Sequence, residues 1–331
     1  MTADPRRRLT PVVRLAPAKL NLTLAIVGRR PDGFHDLHSV AVPLTLADRL
    51  SLAPAAGAQD TLHVSGFDAG PPERNLVLRA IDATRAAVGR GADAVPLAVR
   101  LEKRIPVAAG LGGGSSDAAA AIDAAIEAWA ADPSLVDRSA IAARLGSDVP
   151  FFLGGGAALI EGRGELVTAL PDLVGLAPGV LLVTPAIPLS TGRVFAAFAA
   201  DRRAAAEAPG ATRLTSAHLA GEWRAGLRAS DLVARAGVLA AANDLAAAAA
   251  VVEPSIVPFR RALRRLLGRA VGQSGSGPTL WAIYPSLEAA EAAAVEVRAA
   301  LSELRMSVPG DRPPAIEATT IVAAQPTPAA S

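Results

Sequence analysis

The 331-residue chain contains no cysteine, and this absence removes several kinds of site at once. Without thiols there is no disulfide framework, no thiolate metal ligand and no cysteine nucleophile. Aromatic residues are also scarce, at 3% of the chain, and 33 Lys and Arg nearly balance 31 Asp and Glu. A nucleic-acid-binding surface usually combines a clustered basic face with aromatic side chains. Nucleic acid is therefore not an expected partner.

The sequence also lacks a hydrophobic run suited to a membrane. Residues 173–190 are apolar enough, but they contain three prolines and two glycines. This composition indicates a short buried strand, "GVLLVT", between turns rather than a membrane-spanning helix. The N-terminus shows no apolar signal region. We therefore expect no membrane partner and a cytoplasmic protein.

Residues 12–27 show the alternation of a strand. Leu20 and Leu22 begin a series of apolar residues two apart, which places Lys19 and Asn21 together on the opposite face. By this pattern alone, Lys19 reads equally well as a solvated lysine on a half-exposed strand.

The strongest functional signal is the stretch "GLGGGSSDAAAAI" at residues 110–122. It joins a predicted strand to a predicted helix over residues 115–131, and we expect Ser115, Ser116 and Asp117 to cap the helix. Glycines let an oxyanion rest on backbone N–H groups, and a helix N-terminus attracts negative charge. A flexible linker is the alternative, but it does not require glycines packed against a capped helix start. The pattern favours a polyphosphate site.

Three common nucleotide motifs do not fit this loop. No Gly-Lys-Ser/Thr ending follows the glycines, so it is not a P-loop. Ser115 stands where the dinucleotide fingerprint needs its last glycine. The "HRD" and "DFG" triplets of protein kinases do not occur.

Four motifs carry a resemblance to a known family. "PVAAGLGGGSSDAAAA" (106–121) resembles the phosphate-binding motif of the GHMP superfamily of small-molecule kinases. "APAKLNLTLAIVGRRPDGFHDLHSV" (16–40) resembles the N-terminal motif of one family within it, the 4-diphosphocytidyl-2-C-methyl-D-erythritol kinases. "GSDVPFFLGGGAALIEGRGE" (146–165) and "SGSGPTLWAIY" (274–284) are similar to its middle and C-terminal motifs.

The resemblance implies a fold and a domain order. It implies an α+β, GHMP kinase-like architecture of two domains, with the active site in the cleft between them. The expected division is a flexible basic arm over 1–13, an N-terminal ATP-binding domain over 14–172, a C-terminal substrate-binding domain over 173–312, and a strand or tail over 313–331.

The resemblance also implies the reaction, which is direct in-line transfer of the γ-phosphoryl group of ATP to the C2 hydroxyl of the substrate's methylerythritol unit. This reaction belongs to the non-mevalonate isoprenoid pathway. Such a transfer needs a proton acceptor for the alcohol and positive charge near the phosphate. The family's motif positions for these two roles hold Asp148 and Lys19. Taken alone, Asp148 reads as a cap in a Gly-Ser-Asp turn.

The resemblance also implies where the two ligands bind, with Asn75 and Lys103 near the adenine. The family stacks the cytidine between two aromatic rings, here Phe34 and Phe195, and reads its edge with a histidine, here His35. Phe34 stands where the family usually has tyrosine, so the stacking face is present without the hydroxyl. The residues assigned to ATP are Asn75, Lys103, Pro106, Val107, Ala108, Ala109, Gly110, Leu111, Gly112, Gly113, Gly114, Ser115 and Ser116; those assigned to the substrate are Asn21, Phe34, His35, Thr191, Phe195 and Asn243.

Mg²⁺ is expected to arrive with ATP, with Ser116 as a candidate contributor to its binding. His38, His63 and His218 have no spacing typical of a metal site. Two other functions stay open: another GHMP kinase, acting on homoserine or a mevalonate compound, and a non-catalytic ATP-binding regulator. Phe34, His35 and Phe195 count against another GHMP kinase, because homoserine and mevalonate carry no nucleobase to stack. Lys19 and Asp148 count against a non-catalytic regulator.

Overall fold

The computed structural model describes residues 11–89, 94–201 and 210–322; residues 1–10 of the expected arm and 323–331 of the expected tail lie outside this part of the chain. The described strands are β1 Val12–Asn21, β2 Ala25–Arg29, β3 His35–Pro54, β4 Thr61–Gly66, β5 Leu97–Lys103, β6 Ala158–Gly162, β7 Leu166–Ala169, β8 Gly179–Thr184, β9 Gly272–Gln273, β10 Leu280–Tyr284 and β11 Ala315–Thr320. The described helices are α1 Leu76–Ala87, α2 Gly113–Ala128, α3 Arg138–Leu145, α4 Val149–Phe152, α5 Thr191–Ala200, α6 Ala211–Arg224, α7 Ala229–Ala234, α8 Ala236–Ala241, α9 Leu245–Val252, α10 Ile256–Leu267 and α11 Leu287–Ser302.

The chain divides into two compact units that do not follow the sequence in two simple blocks. Strands β1 and β3 and the glycine loop each contribute residues to both units. The first unit consists of the described residues of Met1–Ala18, Leu46–Val107 and Gly112–Gly154, and the second of those of Lys19–Thr45, Ala108–Leu111 and Gly155–Ser331. The mixture of helices and sheets confirms the predicted α+β class.

The first unit packs helices on a short sheet. Within it β5 pairs with the end of β3 antiparallel and with β4 parallel. Alanine-rich α2 lies in the same apolar cluster as residues of these strands and of α1. Ile122 and Ile126, one helical turn apart on α2, are both buried. Alanine side chains let α2 approach its neighbours closely, because they add little bulk to the helix surface.

The second unit contains a four-stranded antiparallel sheet in the order β11-β8-β10-β9. Strand β8 is the predicted "GVLLVT" strand, and it is buried along its whole length. Helix α10 is amphipathic: it buries Phe259 and Leu263 in the apolar cluster of this sheet, and its four arginines occupy other positions of the helix. In this unit β3 also pairs with β2 and β6, and β6 pairs with β7.

The single strand predicted over residues 12–27 is wrong, because the structure contains two strands there. Strand β1 ends at Asn21 and β2 begins at Ala25. The backbone N–H groups of Leu22 and Thr23 both donate to the carbonyl of Val40, and the Thr23 hydroxyl accepts the Val40 N–H. This doubled pairing interrupts the ladder, as at a β-bulge.

The predicted start of the glycine-loop helix is also wrong. Helix α2 begins at Gly113, and its N-cap is Gly112 in a left-handed conformation with φ of 71° and no side-chain cap. Ser115, Ser116 and Asp117 therefore lie inside the first turns and do not cap the helix. Asp117 forms an ion pair with Lys103 instead.

Candidate active site

Lys19 and Asn21 lie on the same face of β1, as the alternation predicts. Both residues are buried, with an exposed fraction of 5% for Lys19 and 6% for Asn21. Lys19 is therefore not a solvated surface lysine. The Lys19 ammonium donates to Asn21 Oδ1 at 2.6 Å. A buried ammonium needs such partners because desolvation otherwise disfavours the charge.

The middle of the glycine loop is bound to the strand that carries Lys19. The backbone N–H of Lys19 donates to the carbonyl of Leu111 at 2.8 Å. Gly110 is held by its carbonyl, which accepts the Ser274 hydroxyl at 2.9 Å. The Thr279 N–H donates to the carbonyl of Ala109 at 3.3 Å. These contacts bring part of the loop and the buried lysine together within the second unit.

The conformation of the loop suits an anion. Ala108, Gly110 and Gly112 have φ values of 55°, 76° and 71°, so left-handed residues recur every second position. Such alternation turns successive N–H groups toward one concave face, which attracts oxyanions. The loop leads into the 16-residue helix α2, whose N-terminus adds a favourable potential.

Replacing Gly110 by alanine is expected to destabilise the protein. A Cβ at Gly110 would lie 2.4 Å from the carbonyl oxygen of Ser274, and its φ of 76° disfavours any side chain. The backbone term alone costs about 1–2 kcal/mol, and the clash adds to it. Gly114→Ala is the matched control, because a Cβ at Gly114 meets nothing within 4 Å and the residue lies in a helix. Thermal unfolding followed by circular dichroism should show a lower Tm for Gly110→Ala and an equal or higher Tm for Gly114→Ala; equal Tm values for the two variants would contradict this account of the loop.

The first turns of α2 contain two buried polar atoms with no hydrogen-bond partner among the described residues. These atoms are Ser116 Oγ and Asp117 Oδ1. The Ser116 N–H donates to the carbonyl of Gly112 at 2.9 Å, so the backbone of the turn is satisfied while the hydroxyl is not. An unsatisfied buried hydroxyl beside a glycine loop is able to take a ligand atom or water.

Lys103 binds two carboxylates inside the first unit. Its ammonium forms ion pairs with Asp48 and, at 2.7 Å, with Asp117, and all three side chains are almost fully buried. The second oxygen of Asp48 accepts the N–H groups of Arg104 and Ile105 at 2.6 and 2.8 Å. Burial, with Asp48 close by, raises the pKa of Asp117 to about 7 against the opposing effect of Lys103. The cluster connects β3 to the start of α2.

The other two residues predicted in the first unit lie at helix starts. Asn75 is the N-cap of α1, where its Oδ1 accepts the Val77 N–H at 3.0 Å. Asp148 immediately precedes α4, is half-buried, and makes no side-chain cap to that helix. The interpretation of Asp148 as a helix cap is therefore not supported.

Two of the three residues predicted to bind the base are in contact. The rings of His35 and Phe195 have centroids 5.4 Å apart at 32°. Burial, followed by the charge of Arg29, lowers the pKa of His35. Phe34 is 52% exposed, and the guanidinium of Arg163 lies 5.2 Å from its ring centre.

Asn243 and Thr191 meet a loop that no residue assignment from the sequence includes, Gln273–Gly277. Asn243 Nδ2 donates to the carbonyls of Gln273 and Gly275, both at 2.9 Å, and the Thr191 and Ser276 hydroxyls are 2.9 Å apart. A Cβ built on Gly275 would lie 3.4 Å from Asn21 Oδ1 and 3.4 Å from the carbonyl oxygen of Gly110. These are ordinary van der Waals distances, so it is the φ of 56° at Gly275, in the left-handed region, that favours glycine there. The glycine-serine pattern in "SGSGP" was the available signal for this loop.

Within residues 11–89, 94–201 and 210–322, no three His, Cys, Asp or Glu side chains form a group able to hold a metal ion. No helix in this part of the chain has the length and apolar character needed to cross a membrane.

The chain is similar to known proteins in both sequence and structure. Residues 75–156 match the family model of the GHMP kinase N-terminal domain, and residues 224–303 match that of the GHMP kinase C-terminal domain. The 4-diphosphocytidyl-2-C-methyl-D-erythritol kinase of Pelotomaculum thermopropionicum is 38% identical over 290 residues, which cover 87% of this chain and 94% of that protein.

Solved structures match over nearly the whole chain. A crystal structure of 4-(cytidine 5'-diphospho)-2C-methyl-D-erythritol kinase has a TM-score of 0.67 and 30% identity, covering 95% of this chain and all of that one. The homoserine kinase of Cytophaga hutchinsonii has a TM-score of 0.65 but only 17% identity, covering 94% of this chain and 95% of that one. The second likeness shows the fold alone.

Proposed function

The chain belongs to the family of the 4-diphosphocytidyl-2-C-methyl-D-erythritol kinases, and on that premise we propose that it transfers the γ-phosphoryl group of ATP to the C2 hydroxyl of 4-(cytidine 5'-diphospho)-2-C-methyl-D-erythritol. The observation that carries the catalytic part is the position of Lys19. Its ammonium is buried against Asn21, and its backbone N–H binds the carbonyl of Leu111 in the glycine loop. A buried cation beside an anion-binding loop suits phosphoryl transfer.

Asp148 is the proposed general base. Its carboxylate accepts the proton of the substrate hydroxyl as the oxygen attacks the γ-phosphorus, and the transfer is direct, without a phosphoenzyme. Lys19 stabilises the charge on the transferring group and holds the attacking hydroxyl. Its burial supports this role, because electrostatic stabilisation is stronger where water is excluded.

The proposed ATP site comprises the glycine loop and the residues assigned to the adenine. Asn75 Oδ1 already accepts a backbone N–H, so an adenine contact would come from its amide NH₂. The Lys103 ammonium is bound by two carboxylates and supports the start of α2. The recurring left-handed residues of the loop support phosphate binding by its backbone N–H groups.

Magnesium binding is a further part of the proposal. The residues fit an ion delivered with ATP, because Mg²⁺ keeps several waters and needs few protein ligands, and the Ser116 hydroxyl is buried without a partner among the described residues. When bound, Mg²⁺ neutralises charge on the β- and γ-phosphates. In this site Ser116 would hold it and the glycine loop would orient the phosphates. Because the reaction consumes ATP, we also propose that the protein acts in the cytoplasm.

The proposed substrate pocket uses stacking at the cytidine end. Phe195 and His35 already pack against each other, and Phe34 exposes a face to solvent. Asn21, Thr191 and Asn243 surround the Gln273–Gly277 loop with amide and hydroxyl groups suited to the erythritol and diphosphate.

The direct test measures ADP formation from magnesium-ATP with the cytidyl substrate, homoserine and mevalonate in parallel. Turnover confined to the cytidyl substrate is the expected result. Turnover with homoserine or mevalonate would mean that the protein is a kinase of another substrate, and it would contradict the proposed cytidine pocket. ATP binding without turnover on any alcohol would favour a regulator.

Phe195→Leu is expected to raise the KM for the cytidyl substrate without a comparable change in kcat. Stacking on one aromatic face is worth about 1–3 kcal/mol, which corresponds to roughly a 5- to 150-fold change in affinity. Leucine keeps apolar volume in a half-buried site and removes the ring. Phe195→Tyr is the control, because it keeps the ring, and the KM for ATP should be unchanged in both variants. Equal KM values for the two variants would remove Phe195 from the base pocket.

A further inference from the structure

A chain of side-chain hydrogen bonds runs inward from Lys19 to the middle of β3. Lys19 Nζ donates to Asn21 Oδ1 at 2.6 Å, and Asn21 Nδ2 donates to Ser39 Oγ at 2.8 Å. The Ser39 hydroxyl in turn donates to the backbone carbonyl of Thr23 at 2.5 Å. Lys19, Asn21 and Ser39 are each at most 6% exposed. This series of hydrogen bonds thus begins at the Lys19 ammonium and ends at the Thr23 carbonyl oxygen, which can only accept a hydrogen bond.

The last acceptor in this series determines which group donates in each of its hydrogen bonds. A hydroxyl has one hydrogen, and a backbone carbonyl cannot donate, so the Ser39 hydrogen is committed to Thr23. Toward Asn21, Ser39 is then only an acceptor. It must face the NH₂ end of the amide.

The direction of the Asn21 amide decides what Lys19 meets. With the NH₂ on Ser39, Oδ1 points at the ammonium. A flipped amide would put the NH₂ group against the ammonium and the amide oxygen against a lone pair of Ser39. Two favourable contacts would become two repulsive ones, in a site where water does not compensate.

We propose that Ser39 is a positioning residue for phosphoryl transfer: it orients the Asn21 amide and thereby holds the Lys19 ammonium. The inference rests on the proposed function. Ser39 acts through Asn21 and does not itself contact the reacting atoms. Loss of its hydroxyl frees the amide to turn, so the contact between the ammonium and Asn21 Oδ1 is no longer fixed.

The test compares Ser39→Thr with Ser39→Val in the full chain. The two side chains have the same shape, so both add the same methyl group to a buried position, and they differ only in the hydroxyl. We expect Ser39→Thr to keep most of kcat and Ser39→Val to lose roughly 10- to 100-fold of it, because small misplacements of a catalytic group have effects of this size. The KM for ATP should be similar in both. Ser39→Ala, which needs no extra space, should behave like Ser39→Val.

Ser216 supplies a control for a merely structural effect. Its hydroxyl is fully buried, and it lies 2.8 Å from Thr23 Oγ1 and 2.8 Å from His38 Nδ1. It belongs to the neighbouring network but does not bind the Asn21 amide. Ser216→Ala should lower Tm as much as Ser39→Ala does and leave kcat unchanged. If kcat falls equally in both, Ser39 has no specific role.

A double variant tests the path through Asn21. In an Asn21→Ala background there is no amide to orient, so Ser39→Ala should cause no further loss of kcat. Additive losses would overturn the proposal, as would equal kcat values for Ser39→Thr and Ser39→Val. Failure of the proposed function gives a different result, because the unmodified protein would then not turn over the cytidyl substrate at all.

Discussion

Asp148→Asn is expected to lower kcat by about 10²- to 10⁴-fold, the range that a general base contributes. Asparagine has nearly the same shape and cannot accept the proton of the attacking hydroxyl. The side chain makes no cap hydrogen bond to α4, so the substitution leaves the capping of that helix unchanged. ADP formation under saturating ATP and cytidyl substrate measures the effect, and the KM values should change much less than kcat.

The matched control is Asp137→Asn. Asp137 lies in the same unit and caps α3 by accepting the Ala140 N–H at 2.9 Å. Asparagine caps helices about as well as aspartate, so kcat and Tm should both stay near the unmodified values. If Asp148→Asn keeps kcat within about threefold while Asp137→Asn behaves as expected, Asp148 is not the base.

Local periodicity explains what the sequence predicts well. The two-residue repeat along β1 places Lys19 and Asn21 on one face, and the structure joins them. The apolar run "GVLLVT" likewise forms one buried strand, β8. Both patterns depend on neighbours a few positions apart, and one strand is enough to produce them.

The prediction fails where a distant residue competes with a local preference. Asp117 is of a residue type that caps helices, but a lysine 14 positions earlier binds its carboxylate, and Gly112 caps the helix by its backbone conformation. Strand β1 ends where the carbonyl of Val40 accepts two N–H groups. Neither Lys103 nor Val40 is near enough in sequence to leave a local signal.

The partners of the predicted site residues are the part least accessible from sequence. Ser39 is 18 positions from Asn21, and Asp48 is 55 positions from Lys103. Both belong to strand β3, whose residues reach these partners only when the sheet forms. The residue types alone indicate ordinary strand positions, so only the fold shows their roles.

Lys103→Met is expected to destabilise the first unit by about 3–5 kcal/mol, the cost of removing one partner from a buried ion pair. Methionine fills a similar volume without charge. It leaves the carboxylates of Asp48 and Asp117 buried side by side with no cation between them. Urea unfolding followed by circular dichroism should show a lower midpoint.

Asp117→Asn separates the effect of charge from that of packing. Alone it leaves one carboxylate with one ammonium, as in the unmodified protein when Asp117 is protonated, so the two proteins should have similar stability near pH 4. Combined with Lys103→Met it removes the second acidic group beside Asp48, and the double variant should recover part of the lost stability. A double variant as unstable as the sum of the two single variants would mean that packing, rather than charge, accounts for the loss.

The pH dependence gives an independent check on the same cluster. The pKa of Asp117 is raised from 3.8 to about 7, chiefly by burial. Between these values the folded protein keeps a proton that the unfolded chain releases, so this group's contribution to stability falls as pH rises from about 4 to about 7. The slope is at most about 1.4 kcal/mol per pH unit. Asp117→Asn has no such proton, so its stability relative to the unmodified protein should increase across this window. A difference that stays constant from pH 4 to 7 would mean that Asp117 is ionised in the fold, and that Lys103 outweighs the cost of burying both carboxylates.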